Sequence, residues 1–179
     1  MLKKLAIVAL TLGVCAGASA QDVKVDFDKA YDFSKIKTFA LKLGTAWGNP
    51  LSEKRVVAEF EQALTEKGWT KAADAGAADA YVVLHGATQV KKDINTFYSG
   101  MGGWGYRGWG GGMGTATTTT SEYTVGTLVV DIFDTKTKGL VFRGTASDEL
   151  SDKPEKNQKK LEKASDKMFK DFPPGSKKK

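Results

Sequence analysis

Cysteine and histidine are nearly missing from this chain: one of each, Cys15 and His85, in 179 residues. One cysteine cannot close a disulfide within the chain, and the two residues together cannot supply the four ligands of a structural zinc site. No serine stands in a G-x-S-x-G setting, which removes the usual signature of a nucleophile elbow. Proline is also scarce, with four, and all four stand where helical patterns begin or end. After residue 20 no apolar run is long enough to cross a bilayer as a helix.

The longest apolar run lies at the start. Lys3 and Lys4 precede ten apolar residues, "LAIVALTLGV", and Ala18-Ser19-Ala20 follows as a small-residue cleavage pattern. A basic start, a short apolar stretch and an A-x-A end read as a secretory signal peptide over residues 1–20, too short to span. The expected mature chain is periplasmic or outer-membrane-associated after cleavage at Ala20. The alternative is a lipid anchor at Cys15, but Val14 stands where a lipidation signal has a small residue. Cleavage at Ala20 would remove the only cysteine.

The formal charge of +6 is mostly terminal. Lys3 and Lys4 account for two and Lys177-Lys178-Lys179 for three, which leaves +1 for residues 21–176. A nearly neutral body does not make a nucleic-acid groove, so no nucleic acid is expected as partner. Residues 175–179 read as a basic disordered tail.

Residues 21–174 read as one domain. "DVKVDFD" alternates Val23, Val25 and Phe27 against charged positions, and "KTFALKLG" does the same with Phe39, Leu41 and Leu43; both predict half-buried strands. Tyr31, Phe33 and Ile36 in the connection would pin it to the core. "NPLSEKRVVAEFEQALTEKG" predicts a helix capped by Asn49, opened by Pro50 and stopped by Gly68. Its apolar stripe is Leu51, Val56, Phe60, Ala63 and Leu64. "AYVVLHGATQV", "EYTVGTLVVDIFD" and "LVFRGTA" predict three more strands, the last two joined by the short loop "TKTKG". A second helix begins near "SDKPE", where Asp152 and Glu155 resemble a capping box, and runs along Leu161, Ala164, Met168 and Phe172. The order β-β-α-β-β-β-α predicts an α+β, two-layer sandwich: a mainly antiparallel sheet of about five strands with two helices on one face. The other face is mixed, with Val129, Asp131 and Phe133 beside Val141, Arg143 and Thr145.

Between the third and fourth strands lies "SGMGGWGYRGWGGGMG", an insert at residues 99–114 with nine glycines in sixteen positions. Gly103, Gly105 and Gly108 spell G-x-G-x-x-G, but no helix starts after them and a threonine run follows. A phosphate loop needs that helix N-terminus, so no cofactor is expected. Two readings remain open. In one, the insert is a flexible hairpin tip or folds back onto its own sheet. In the other, Trp104, Tyr106, Arg107 and Trp109 form a partner-binding tip, because large apolar rings among glycines have little local surface to bury them. The partner would be an envelope protein, a glycan or a membrane surface. Catalysis lacks convergent groups: His85 sits in a strand pattern, Asp26 and Asp28 share a strand's polar face, and Asp148, Glu149 and Asp152 precede a helix. A non-catalytic binding or accessory protein using this tip is therefore expected, with no metal and no enzyme activity; the alternatives are a structural envelope protein whose tip is merely flexible and an envelope hydrolase.

The segments "VKVDFDKAYDFSKIKTFAL", "NPLSEKRVVAEFEQALTEKGW", "YTVGTLVVDIFDTKTKGLVFRGTASDELSD" and "PEKNQKKLEKASDKMFKDFPP" resemble the bacterial family called domain of unknown function 4136. The likeness is most specific in "GTLVVDIFDTKTKGLVFRG" and the terminal "FPP", and a Gly- and aromatic-rich insert before a threonine run is usual there. Leu41 departs from the pattern by standing where an aromatic is common. The resemblance implies an envelope protein, often a lipoprotein, and carries no catalytic residues to transfer.

Overall fold

A computed structural model describes the backbone of residues 21–45, 48–99 and 115–174, and the side chains of these except 94–99 and 115–118. The elements are β1 (Asp22–Phe27), β2 (Thr38–Leu43), α1 (Pro50–Glu66), β3 (Thr70–Lys71), β4 (Ala80–Ser99), β5 (Thr115–Asp134), β6 (Leu140–Glu149) and α2 (Pro154–Met168). The sheet runs β1-β6-β5-β4-β2-β3. Its first four strands are antiparallel neighbours, whereas β2 lies parallel to both β4 and β3. The α+β, two-layer arrangement is as expected. The strand count is six, because the chain leaving α1 adds the two-residue β3. The helix between β2 and β4 provides the crossover a parallel pair requires.

The core forms where strand alternation and helical stripes meet. Ala80, Val82, Leu84, Val130 and Ile132 are fully buried on the helix side of the sheet, against Phe60 and Leu64 of α1 and Ala164 and Met168 of α2. Phe169 and Phe172 follow α2 and close the layer. Phe169 stacks on Phe142 at 5.8 Å, and Phe172 meets Phe142 and Trp69 edge-on at 5.2 and 5.0 Å. Such pairs add roughly 0.5–1.5 kcal/mol each beyond area burial. Phe33 and Ile36 are buried as anticipated, which ties the β1–β2 connection down.

The first helix keeps its predicted ends. Asn49 Oδ1 accepts the Ser52 N–H at 3.1 Å, Pro50 opens the helix, and Gly68 has φ +88°. Leu51 departs from the stripe: it is 66% exposed, because it sits in the first turn, beyond the core. The second helix begins at Pro154, but not through Asp152 and Glu155. Lys153 is the cap and makes no side-chain cap bond. Instead Asn157 grips the preceding turn, accepting from Ser151 N at 2.8 Å and donating to Ser151 O at 2.7 Å. Three further positions differ from expectation. Val25 and Phe27 are 41% and 37% exposed, since β1 is an edge strand that the helices only partly cover. Val141 belongs to the core cluster rather than the mixed face, because a register shift at Ile132/Phe133 inserts one residue into β6.

Candidate functional site

The hairpin of β4 and β5 is longer than the sheet that holds it. Its register runs without a break from Ala80↔Asp134 to Ser99↔Thr115. On one side, β2 accompanies β4 only as far as Leu84; on the other, β6 accompanies β5 only as far as Val125, which faces Gln89. From Val90 and Thr124 outward the hairpin is a two-stranded ribbon of ten residues per strand, roughly 33 Å long. Val90 is 59% exposed on it. Lys92 faces Glu122 across the ribbon at 2.6 Å. So exposed an ion pair contributes little stability, but it suits this register and opposes a slip.

This arm was missed in the sequence beyond Val90 and before Glu122. The signal was present: Thr117 to Thr120 are β-branched residues that favour extended backbone. Alternation could not reveal it, because a ribbon without a core has no buried face to alternate against. Trp104, Tyr106, Arg107 and Trp109 lie outside the described residues. Ser99 and Thr115, which bracket their segment, pair at the arm's far end.

At the arm's root, on the helix side, a cleft of about 680 Å³ opens between the first turns of α1 and α2 and the sheet. It exists because the sheet carries Gly86, Gly126 and Ala146 there, which leave the helices nothing large to pack on. A Cβ at Gly126 would stand 2.8 Å from Leu150 Cδ2, so the glycine lets Leu150 lie across β5. Gln21 and Gln158 line the cleft, and their side-chain oxygens are buried without a partner. Their amide nitrogens donate to Lys160 O at 2.7 Å and Glu162 Oε1 at 3.1 Å. Asp148 is paired with Lys160 at 3.0 Å.

The opposite, mixed sheet face brings His85 beside Asp131 and Arg143. Asp131, 2% exposed, takes a bidentate grip from Arg143, with both N···O distances 2.6 Å. The two face each other directly in the β5–β6 register. This carboxylate raises the Arg143 guanidinium above its ordinary pKa. His85 Nε2 stands 3.9 Å from Asp131 Oδ2, beyond hydrogen-bond distance, and Nδ1 lies 3.1 Å from Thr45 Oγ1. Gly44 lies against the imidazole so closely that a Cβ there would overlap the ring. Asp26 and Asp28 are used locally, accepting from Phe27 N at 2.9 Å and Ala30 N at 2.8 Å. Among the described residues, no group of three or more His, Cys, Asp or Glu could hold a metal ion. No described helix is long and apolar enough to cross a membrane.

A six-stranded mixed sheet under two helices, extended by one long hairpin, places the molecule among the two-layer α+β domains. Within that class the chain belongs to the family described as Domain of unknown function (DUF4136), whose pattern it matches over residues 23–174. It is similar to a DUF4136 family protein from Bacteroides thetaiotaomicron at 16% identity, covering 86% of this chain and 96% of that one, with a TM-score of 0.54. A PDZ domain protein from Parabacteroides distasonis is also similar, at 16% identity and a TM-score of 0.53, over 88% of this chain. This chain spans only 37% of that larger protein. At such identities the likeness is one of fold. Comparison with curated proteins gives no match.

Proposed function

We propose that this chain is an exported envelope domain that acts by binding, and that the β4–β5 arm presents Trp104, Tyr106, Arg107 and Trp109 to an envelope partner. The observation that carries this reading is the unsupported arm. A two-stranded ribbon is marginal in water by itself, yet the pairing continues for ten residues past the last strand that backs it. That length adds nothing to the core; it gives reach. Indole and phenol rings suit a surface that is apolar at one end and wet at the other, as a glycan, a membrane face or a protein groove can be. Export rests on the signal-peptide pattern read at residues 1–20 and on the envelope location that the family resemblance implies.

Three proteins test the reading: the intact chain, the triple variant Trp104→Ser/Tyr106→Ser/Trp109→Ser, and a chain in which Asn-Gly replaces residues 92–122. Each is incubated with envelope protein extract, envelope glycan and phospholipid vesicles. The intact chain is expected to retain one of the three materials, and both variants to lose it with melting temperatures nearly unchanged. Equal retention by all three proteins would remove the arm from the function. A large fall in melting temperature of the triple variant would show that the rings pack on their own domain. Intact mass of the exported protein checks the address: it should begin at Gln21, and a diacylglyceryl Cys15 would make it an anchored protein instead.

A further inference from the structure

The sheet's two edges are unequally protected. At one edge β3 is two residues long, a common way to blunt an edge. At the other, β1 offers six residues, and the side chains beside its free edge are half exposed rather than covered. Asp28 N donates to Val141 O at 3.0 Å, so the even-numbered residues of β1 direct their backbone groups to β6. By alternation, Val23, Val25 and Phe27 direct theirs to the open side. The Phe27 N–H there is met only by the carboxylate of the preceding Asp26, at 2.9 Å.

We propose that two copies of this chain join through β1, antiparallel about a twofold axis at Val25, so that two six-stranded sheets become one. The self-complementarity of the strand selects this register. Centring on Val25 places Lys24 opposite the partner's Asp26 twice, Val25 opposite Val25, and Val23 opposite Phe27 twice. Val23, Val25 and Phe27 exchange the backbone hydrogen bonds, and the charged pairs fall at the closer, non-bonded positions. Centring on Lys24 or Asp26 sets like charges face to face. Centring on Val23 pairs Lys24 with Asp22 but leaves Phe27 without a partner. In the chosen register Asp22 meets Asp28 only at the two ends, where Asp28 already accepts the Ala30 N–H at 2.8 Å.

The free protomer holds these groups by makeshift contacts. Lys24 reaches Asp22 on its own strand at 3.0 Å, with side chains 76% and 61% exposed. On the helix side, a groove of about 440 Å³ runs along Val23, Val25 and Phe27 beside Met168 and Phe172. The partner's Val25 and Phe27 would cover it. A twofold axis through the paired strands runs perpendicular to the sheet, so both helix layers lie on one side. The two β4–β5 arms then point in opposite directions.

Light scattering and sedimentation of the purified chain over a concentration series test the proposal. The wild type should reach twice the protomer mass. Lys24→Asp should weaken dimerisation at least tenfold by setting acids opposite Asp26, and Lys24→Asp/Asp26→Lys should restore it by reversing both pairs. Val25→Pro should abolish the dimer and leave a folded monomer with an unchanged far-UV circular dichroism spectrum, because proline is tolerated where an edge strand's N–H faces outward. A wild type that stays monomeric at its highest soluble concentration overturns the proposal. So does a dimer indifferent to both Lys24→Asp and Val25→Pro.

Discussion

Between Ala80 and Leu84, β4 lies in the interior of the sheet, flanked by β2 and β5 and under two helices, and its Val82 and Leu84 are fully buried. From Val90 onward the same strand keeps one neighbour and no helix, and Val90 itself is 59% exposed. The hydrogen-bond register is identical in kind on both sides of that boundary. What differs is the apolar surface removed from water, and that is where stability resides, since backbone pairing largely exchanges one hydrogen bond for another. The root of the hairpin is scaffold. The arm is an extension that the scaffold can carry.

The sharpest test of this contrast is a pair of truncations on one strand. Leu84→Ala should cost about 2–5 kcal/mol, because it removes buried methyl groups and leaves a cavity. Val90→Ala, only six residues along, should stay within roughly 0.5 kcal/mol. Denaturant unfolding followed by circular dichroism measures both, and comparable losses would mean that the arm is packed after all. A smaller effect probes β6, which backs the root but not the arm. A Cβ at Gly144 would overlap Met168 Sδ and Cγ, so Gly144→Ala should cost roughly 1–3 kcal/mol by overpacking. A neutral result would show that α2 can lift from the sheet.

The smallest effect concerns the closed end of the root, where Tyr31 donates to Asp134. That bond is the main reason the Asp134 carboxyl is held down at about 2, and the Thr137 and Lys136 amides assist it. The phenol moves the other way, raised by burial first and by this carboxylate second. A lowered carboxyl means that the unfolded chain binds the proton more readily, so stability rises with pH across this range. The contribution is complete above pH 3.8 and is lost as pH falls through about 2. Because Asp134 is near the surface, solvent keeps the contribution small. Tyr31→Phe should move the Asp134 titration upward, visible by NMR, and flatten the acid limb of stability. An unmoved titration would assign the shift to the loop amides.

Residues whose meaning is local were readable. Asn49, Pro50 and Gly68 mark the ends of α1 through bonds and torsions within a few residues, and the hairpin joining β5 to β6 announces itself through alternation around a short loop. The Asp131–Arg143 pair was half legible: both had been assigned to one mixed face, and the register of that hairpin sets them opposite each other. Its bidentate closure was not. The second helix shows the limit of motif reading, since Asp152 and Glu155 have the spacing of a cap while Asn157 does the work through the preceding turn. The cleft at the arm's root was invisible, being defined by where two helices stop covering small residues far apart in the chain. Trp104, Tyr106, Arg107 and Trp109 were singled out from composition, and the arm whose far end brackets their segment came only from the register.

Period, caps and turn chemistry, all properties of short windows, sufficed to specify an α+β domain, its two helices and most of its core. Which strands lie beside one another, where Val141 turns inward, and how far β4 and β5 run past their neighbours depend on contacts between distant segments. Those were decided by the packing of the whole chain, because burial is shared among elements and no single stretch of sequence contains it.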